Sequence, residues 1–407
     1  MAAFWKLVWR NVLRHRRRSL LTCASIGLGL AAVMFGQSLM KSIQRQMILK
    51  STGVMFGHLQ IQVPGARDPK VPDKLLGNSR RYLDLLAKDA RVEAASTRLL
   101  FTGLVYSAAA SRGLLICGVE PEQEKRLSII PNYLTQGRYL GESPRDIFIG
   151  DKLADELDTY VGEKLVVLAQ SKSGELNSEL FRVAGLFHSG SLSFDAQIAY
   201  VPISMAQKLR GAEGQVSYVV VRLTDVDLSL EAAQEWTERL KDFGVRVLSY
   251  EDIALEIVGV QKFEDAIMIV ALIIIFSIVG LGIWNTISMS FFERIREFGL
   301  LRAIGARPAL VFKLLVAESA LMGLLGIVSG LILGGWLIAY FGRYGLDLTL
   351  KEAMSYFIPF EAVIYLHPVW RLHLWAVFGS FTVCILASLG PALRGARLAV
   401  AKALQHI

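Results

Sequence analysis

Four runs along the chain carry no charged residue: Ser19–Met40, Ala266–Phe292, Ser319–Gly342 and Leu374–Leu393. They hold 22, 27, 24 and 20 residues, and about 20 apolar residues suffice for a helix to cross the hydrocarbon core of a bilayer. Each run therefore predicts a membrane-spanning helix. From 41 to 262 the pattern changes to short stretches at strand and helix periods, enough in sum for a separate core. There "HLQIQV" alternates at period two, with Leu59, Ile61 and Val63 on one face, and "SYVVVRL" reads as a strand. "GLLICGVEPEQE" reads as a strand running into a turn at Pro121. "DIFIGDKLADEL" reads as a strand, Gly150, then a helix capped by Asp151. "EKLVVLAQ" and "ELFRVAGLF" flank a polar stretch, the pattern of a hairpin with a longer loop over Gln170–Glu179. "SLEAAQEWTERLKDFG" predicts a helix capped by Ser229 and stopped at Gly244, burying Ala233, Trp236, Leu240 and Phe243. "KSIQRQMILK" and "YEDIALEIVGVQKFED" read as helical stalks leading out of the first run and back into the second. The expected fold is an α-helical membrane protein with four transmembrane helices and a large mixed α/β domain inserted between the first and second.

Two finer patterns stand out on the helices. At 100° per residue, Lys6, Arg10, Arg14 and Arg17 fall on one side of the head, and Phe4, Trp5, Val8, Trp9 and Val12 fall on the other. A helix of that kind lies in the headgroup boundary, where Trp5, Lys6, Trp9, Arg10 and Arg14 would meet the interface. In the third run Gly326, Gly330 and Gly334 recur every four residues, a ridge along which another helix can approach closely.

Composition agrees with a membrane protein: 53% of residues are hydrophobic and the mean hydropathy is +0.43. The net charge of +8 matters through its placement. Met1–Arg18, Glu293–Lys313 and the tail with Arg394, Arg397 and Lys402 hold fourteen basic residues against two acids, which leaves −4 for the rest. Basic loops stay cytoplasmic, so head, loop and tail are expected inside and 41–262 outside. The connection Arg343–Arg371, with three basic and three acidic residues, fits the outer side. Topology accounts for the basic balance, and no nucleic acid is implied. The first run is long and lacks an A-x-A-like cleavage site, so it reads as a retained anchor. Cys117 is alone in the outer region, with Cys23 and Cys384 in runs, so no intrachain disulfide is expected there.

Enzyme chemistry finds little support. The six histidines never fall at a zinc-ligand spacing such as H-E-x-x-H, G-x-S-x-G is absent, and His58 and His188 read as surface or hydrogen-bonded residues. A receptor would explain the outer region but not the charged interruption "FFERIREFGLLRAIGARP" at 291–308. In it Phe291, Ile295, Phe298 and Leu301 recur at helical spacing while Glu293, Arg294, Arg296 and Glu297 fill the other faces. Gly305 can end this helix and Pro308 can open the next. An amphipathic helix presented between two spans suits docking to a soluble partner. Acids contribute little to orientation, so Glu293 and Glu297 are expected to meet basic residues of that partner.

With the loop described, a family resemblance becomes specific. "ERIREFGLLRAIGA" resembles the signature of FtsX-like permeases, the membrane subunits of MacB-type (type VII) ABC transporters. "WKLVWRNVLRHRRRSLLT" is similar to the family's opening, and "LLICGVEPEQE", "QGRYL", "DIFIGDKLADEL" and "VAGLFHSGSLSFDAQIAYVPISMAQKL" resemble its periplasmic core domain. "GPALRGARLAVAKAL" resembles the closing motif, without the proline the family places near Val400. The length of the chain and "GHLQIQV" lean toward the LolC/LolE lipoprotein-releasing branch.

The resemblance implies a coupling helix seated on a separate cytoplasmic ABC ATPase, with Glu293, Arg294, Arg296, Glu297, Gly299, Arg302, Ala303 and Gly305 carrying the seat. It implies a dimer of ATPases, a second permease copy or a homologous permease, and a periplasmic carrier or adaptor as a further partner. ATP and Mg belong to the ATPase; this chain has no G-x-x-x-x-G-K-[ST] loop, and no cofactor or metal of its own is expected. The cargo implied is lipoprotein or a lipid-like molecule drawn from the bacterial inner membrane. The alternatives are drive for a tripartite efflux or secretion system and control of a periplasmic hydrolase. The expected division is 1–18 interfacial helix, 19–40 first span, 41–262 periplasmic domain with stalks, 263–292 second span and 293–313 coupling loop. It continues with 314–342 third span, 343–372 periplasmic loop, 373–393 fourth span and 394–407 cytoplasmic tail.

Overall fold

The structure, a computed structural model, describes residues 2–14, 16–347 and 363–397. Residues 348–362 of the expected connection and 398–407 of the expected tail, with the end of the closing motif, lie outside the described residues. In chain order, α1 (Ala2–Arg14) and α2 (Arg16–Ser51) come first, and a π turn at Thr52–Phe56 leads into an α/β region. Its strands are β1 (Leu59–Gln62), β2 (Val92–Tyr106), β3 (Ser111–Val119), β4 (Leu134–Gly137), β5 (Asp146–Gly150), β6 (Lys164–Gln170), β7 (Leu176–Phe187), β8 (Ile198–Pro202), β9 (Tyr218–Leu223) and β10 (Arg246–Ser249). Its helices are α3 (Ser79–Leu86), α4 (Pro121–Leu127), α5 (Asp151–Leu157), α6 (Leu192–Gln197), α7 (Ile203–Arg210), α8 (Ser229–Arg239) and α9 (Tyr250–Ile253). Then follow α10 (Leu255–Glu293), α11 (Ile295–Ala303), α12 (Pro308–Tyr344) and α13 (Trp370–Ala396). Among the described residues, four helices are long and apolar enough to cross a membrane: α2 with its π turn, α10, α12 and α13. The chain folds as two units, one from residues 1–43, 262–347 and 363–397, the other from 44–261.

In the α/β unit the long strand β2 serves two neighbourhoods. Its first half pairs with β9, and β1 and β10 continue outward from there. Its second half pairs with both β3 and β6, and the pairings then run β3–β8–β5–β7–β6, returning to β2 as a closed circuit. Closure leaves those strands without a free edge in the circuit. β3 runs parallel to β8 and β5 parallel to β7, while the other pairs are antiparallel. The core contains Leu59, Ile61, Leu99, Ile147, Leu165, Phe181 and Val219, with Trp236 and Leu240 of the α8 region packed in. A second cluster gathers Leu100, Phe148, Phe187, Tyr200 and Tyr218.

Several local expectations change. β1 is buried on both faces: Gln60 donates to Phe56 O over 2.8 Å, and Gln62 donates to Gln60 Oε1 over 2.6 Å and to Pro69 O over 2.7 Å. The alternation therefore marks a central strand whose amides are satisfied internally, as burial requires. Pro121 opens α4 rather than making a turn, since its missing N–H is no loss at a first helical position. Asp151 is the first residue of α5, with Gly150 before it. β7 already runs from Leu176, so the hairpin loop is only 171–175, shorter than Gln170–Glu179. Ser229 is the first helical residue of α8 rather than its cap, and Gly244 takes φ 65° after the following short turn.

A buried ion pair sits inside this unit. Arg98 and Glu124 are almost wholly inaccessible, 2.5 Å apart, and Arg98 also donates to the Met55 carbonyl. Burial by itself would weaken the guanidinium, but Glu124 holds it well above its ordinary value. Nearby Cys117 is buried as well, and burial pushes its thiol up to about 12, far from a reactive thiolate.

Candidate functional site

A dense network of charged side chains lies at one end of the helical unit, where α1, the start of α2, α11 and the start of α12 meet. Arg294 breaks the helix between α10 and α11, with φ −114° and ψ 16°. Its Nη1 donates to Glu318 Oε1 over 2.8 Å, its Nε donates to Glu297 Oε2 over 3.1 Å, and its guanidinium lies 4.8 Å from the Phe298 ring centre. Asn11 of α1 donates to the same Glu318 oxygen over 2.6 Å. Arg14 reaches Glu297 at 2.8 Å, and Arg18 grips Glu293 with two bonds of 2.9 and 3.1 Å. Partial burial would raise the Glu297 carboxyl, but the bonds from Arg14 and Arg294 prevail and bring it below the usual glutamate value. Beneath this network Phe291 and Phe298 stack at 6.0 Å.

This geometry redistributes the residues expected to carry the seat. Arg294 and Gly299 are buried, so they build the base of α11 and present no surface. Glu293 and Glu297 pair with arginines of the same chain, so their place in the sequence is explained without a partner. Arg302 donates to the Ala396 carbonyl over 3.1 Å, tying α11 to the end of α13. Gly305 takes φ 100°, a conformation that favours glycine, and ends the helix. The apolar stripe expected from Phe291, Ile295, Phe298 and Leu301 mostly faces inward. What faces out is Arg296, Leu300, Leu301, Ala303 and Ile304, the last 85% exposed. Leu300 and Ile304 were missed in the sequence because a stripe of period 3.6 marks packing, not presentation.

α1 divides its apolar side in two. Val8 and Val12 are buried as α1 packs on α12, while Trp5 and Trp9 remain about half exposed beside exposed Lys6 and Arg10. The helix ends at Arg14, and Arg16–Arg18 already belong to α2.

The glycine ridge of α12 lies against α2. A methyl at Gly326 would sit 2.6 Å from Ile26 Cβ, at Gly330 2.8 Å from Gly27 O, and at Gly334 3.2 Å from the Ala31 Cα. Such spacing leaves no room for a side chain. α10 packs less: Ile267, Val270, Ile274, Ile278 and Leu281 stay exposed along its length. Toward the other end of the unit, Gln37, Met40, Met268, Ile269, Leu272 and Leu372 line a groove of about 270 Å³, beside the Lys41–Asp265 ion pair at 2.9 Å.

Comparison with known proteins gives two family matches. The MacB-like periplasmic core domain matches residues 19–239, and the FtsX-like permease C-terminal matches residues 269–400. The chain is 23% identical over 401 residues to the lipoprotein-releasing system transmembrane protein LolE of Haemophilus influenzae, covering 93% of this chain and 92% of that one. It is 25% identical over 423 residues to the corresponding LolC of Xylella fastidiosa strain 9a5c, covering 97% of each. Among solved structures, the periplasmic region of MacB from Actinobacillus actinomycetemcomitans is similar over 51% of this chain and 95% of its own, at 16% identity and TM-score 0.37.

Proposed function

This chain belongs to the family of permeases with a MacB-like periplasmic core domain and an FtsX-like permease C-terminal, and on that premise we propose that α11 docks a separate ATP-hydrolysing subunit. It is an ABC transporter permease of the LolC/LolE and MacB type. The observation that carries the docking reading is the exposed tip Leu300, Ala303 and Ile304 standing on a buried, ion-paired base. An exposed apolar tip, with Arg296 and Arg307 exposed on either side of it in sequence, fits a groove on a soluble partner, with burial supplying affinity and charge supplying register.

The base gives the tip leverage. Force applied at Ile304 passes through Arg294 to Glu318 on α12 and, through Asn11, Arg14 and Arg18, to α1 and α2. α12 in turn meets α2 along the glycine ridge, where Ile26, Leu30 and Met34 of α2 pack directly against Gly326, Gly330 and Gly334. α2 and α10 are the helices from which the α/β region leaves in sequence and to which it returns, so movement of the charged end would be relayed to that region as the stroke. In this reading the charged end is cytoplasmic, the α/β region is a periplasmic insertion between the first and second spans, and the membrane is the bacterial inner membrane. The open face of α10 is left for lipid or for a second permease.

The cargo we infer is a lipoprotein or another acylated molecule extracted from the membrane. Relatives named for lipoprotein release support it, as does the apolar groove bounded by the Lys41–Asp265 pair, which suits an acyl chain below a polar head. Photo-crosslinking from position 304 tests the docking claim on which the rest depends.

A further inference from the structure

The α/β unit brings together three side chains that no sequence motif unites. Asp151 and His188 are the residues that follow Gly150 and Phe187, which are paired in register on the parallel strands β5 and β7, so they leave the sheet side by side. Asp195 comes from α6, and it arrives because Gly150 has no side chain: a Cβ there would collide with the Asp195 backbone. His188 Nδ1 lies 2.8 Å from Asp151 Oδ2 and 3.5 Å from Asp195 Oδ2, and one donor atom from each of the three residues falls within 4.8 Å of the others. Asp195 is fully buried, held by the Ser189 hydroxyl at 2.6 Å and the Ser189 amide at 3.1 and 3.2 Å, while Asp151 and His188 are partly open to solvent.

We propose that Asp151, His188 and Asp195 form a binding site for a divalent transition-metal ion, with zinc the cation its donors fit best. An imidazole proton on Nδ1 can serve one carboxylate well, yet two carboxylate oxygens crowd the same nitrogen. A cation in the middle serves all three. With zinc bonds of about 2.0–2.2 Å to nitrogen and carboxylate oxygen, the edge of a tetrahedral shell is about 3.3–3.6 Å. The His188–Asp195 separation falls in that range, and a small outward turn of the partly exposed Asp151 carboxylate brings the other into it. One imidazole with two carboxylates is a borderline donor set, better matched to zinc than to magnesium or calcium, which take oxygen ligands. The neutral ring binds through Nδ1 with its proton on Nε2. The exposed side of His188 and Asp151 leaves the fourth position to water. Because α5, the loop after β7 and α6 each supply one ligand, a bound ion pins the 188–191 loop to α5.

The test uses the full-length permease, purified in detergent without a polyhistidine tag and stripped with chelator. Zinc chloride alone is added, with bound metal counted by elemental mass spectrometry after equilibrium dialysis. We expect one zinc per chain, a rise in unfolding temperature on loading, and affinity at least tenfold weaker in His188→Ala and in Asp151→Asn. Both altered residues are partly exposed, so the metal-free variants should unfold where the metal-free parent does. His367→Ala should bind as the parent does. No saturable zinc in the parent, or zinc retained by both His188→Ala and Asp151→Asn, overturns the proposal and leaves the three residues a hydrogen-bonded cluster.

Discussion

Arg294 donates to Glu318 over 2.8 Å with both side chains less than a tenth exposed, so the break between α10 and α11 is bolted to the first turns of α12. The pair joins residues 24 apart in sequence, and Asn11 binds the same carboxylate from 307 residues away. Removing one partner of a buried pair strands the other charge, at a cost of about 3–5 kcal/mol, whereas replacing both with apolar side chains is often neutral. Glu318→Ala should therefore lower the unfolding temperature of the purified permease and expose α1 to limited proteolysis at Arg14. Arg294→Met combined with Glu318→Leu should recover most of the stability. Equal loss in the single and double variants would mean that the contact does not hold α11 in place.

The glycine ridge predicts a position-specific response. Gly330→Leu drives a side chain into Gly27 and Leu30 of α2, and overpacking of this kind costs about 1–3 kcal/mol or more. Gly335 has nothing within 4 Å of where its Cβ would lie, so Gly335→Leu is the matched control. Thermal unfolding in detergent should separate the two. Similar unfolding for both would place the ridge against something softer than α2.

His58 gives the α/β unit a pH dependence. Its Nδ1 accepts from the Leu223 amide over 3.1 Å, and burial, then Arg222, push it down to about 4 against the opposing pull of Glu93 and Asp225. The unfolded chain takes up this proton near 6.5, the folded chain only near 4, so stability falls as pH drops through that window. The slope is at most about 1.4 kcal/mol per pH unit. Hydrogen exchange at the Leu223 amide, followed from pH 7 to 5, should show protection lost in the parent and a flatter response in His58→Gln. A parent as flat as the variant would contradict the burial of a neutral ring.

The charge asymmetry predicts an orientation that can be read from outside the cell membrane. Ser173 in the β6–β7 turn and Arg307 before α12 are both exposed, so a cysteine at either can react if reagent reaches it. An impermeant maleimide should label Ser173→Cys in spheroplasts and leave Arg307→Cys unlabelled until the membrane is opened. The reverse pattern would invert the proposed topology.

Much of the framework was legible along the chain. Uncharged runs located the long helices, and strand-length apolar segments located β5, β6, β7 and β9, because burial imposes its period on the sequence. The closed circuit through β2 was not legible, since strand pairing is settled by contacts between distant residues that leave no local mark. The same holds at the charged end. Arg14, Arg18, Glu293 and Glu297 were visible as charges, but their pairing with one another depends on α1 folding back beside α11. Two local signals mark this end: an amide, Asn11, among apolar and basic neighbours, and an acid, Glu318, beside the third uncharged run. Polar groups at a membrane helix end call for a partner, and each had the other. Gly150 and Asp195 illustrate the remaining gap, for a glycine's purpose appears only once the backbone it admits is in view.

The claim that α11 presents its tip to an ATPase is tested most directly by a photo-reactive amino acid at Ile304, irradiated in the native cell with the permease at its normal level. Leu324, exposed on α12 in the third uncharged run, is the control for contact with lipid. The account predicts a protein adduct from position 304 and none from 324, with peptides of the captured protein containing a G-x-x-x-x-G-K-[ST] phosphate loop. A position 304 that captures no protein, or behaves as 324 does, would contradict it.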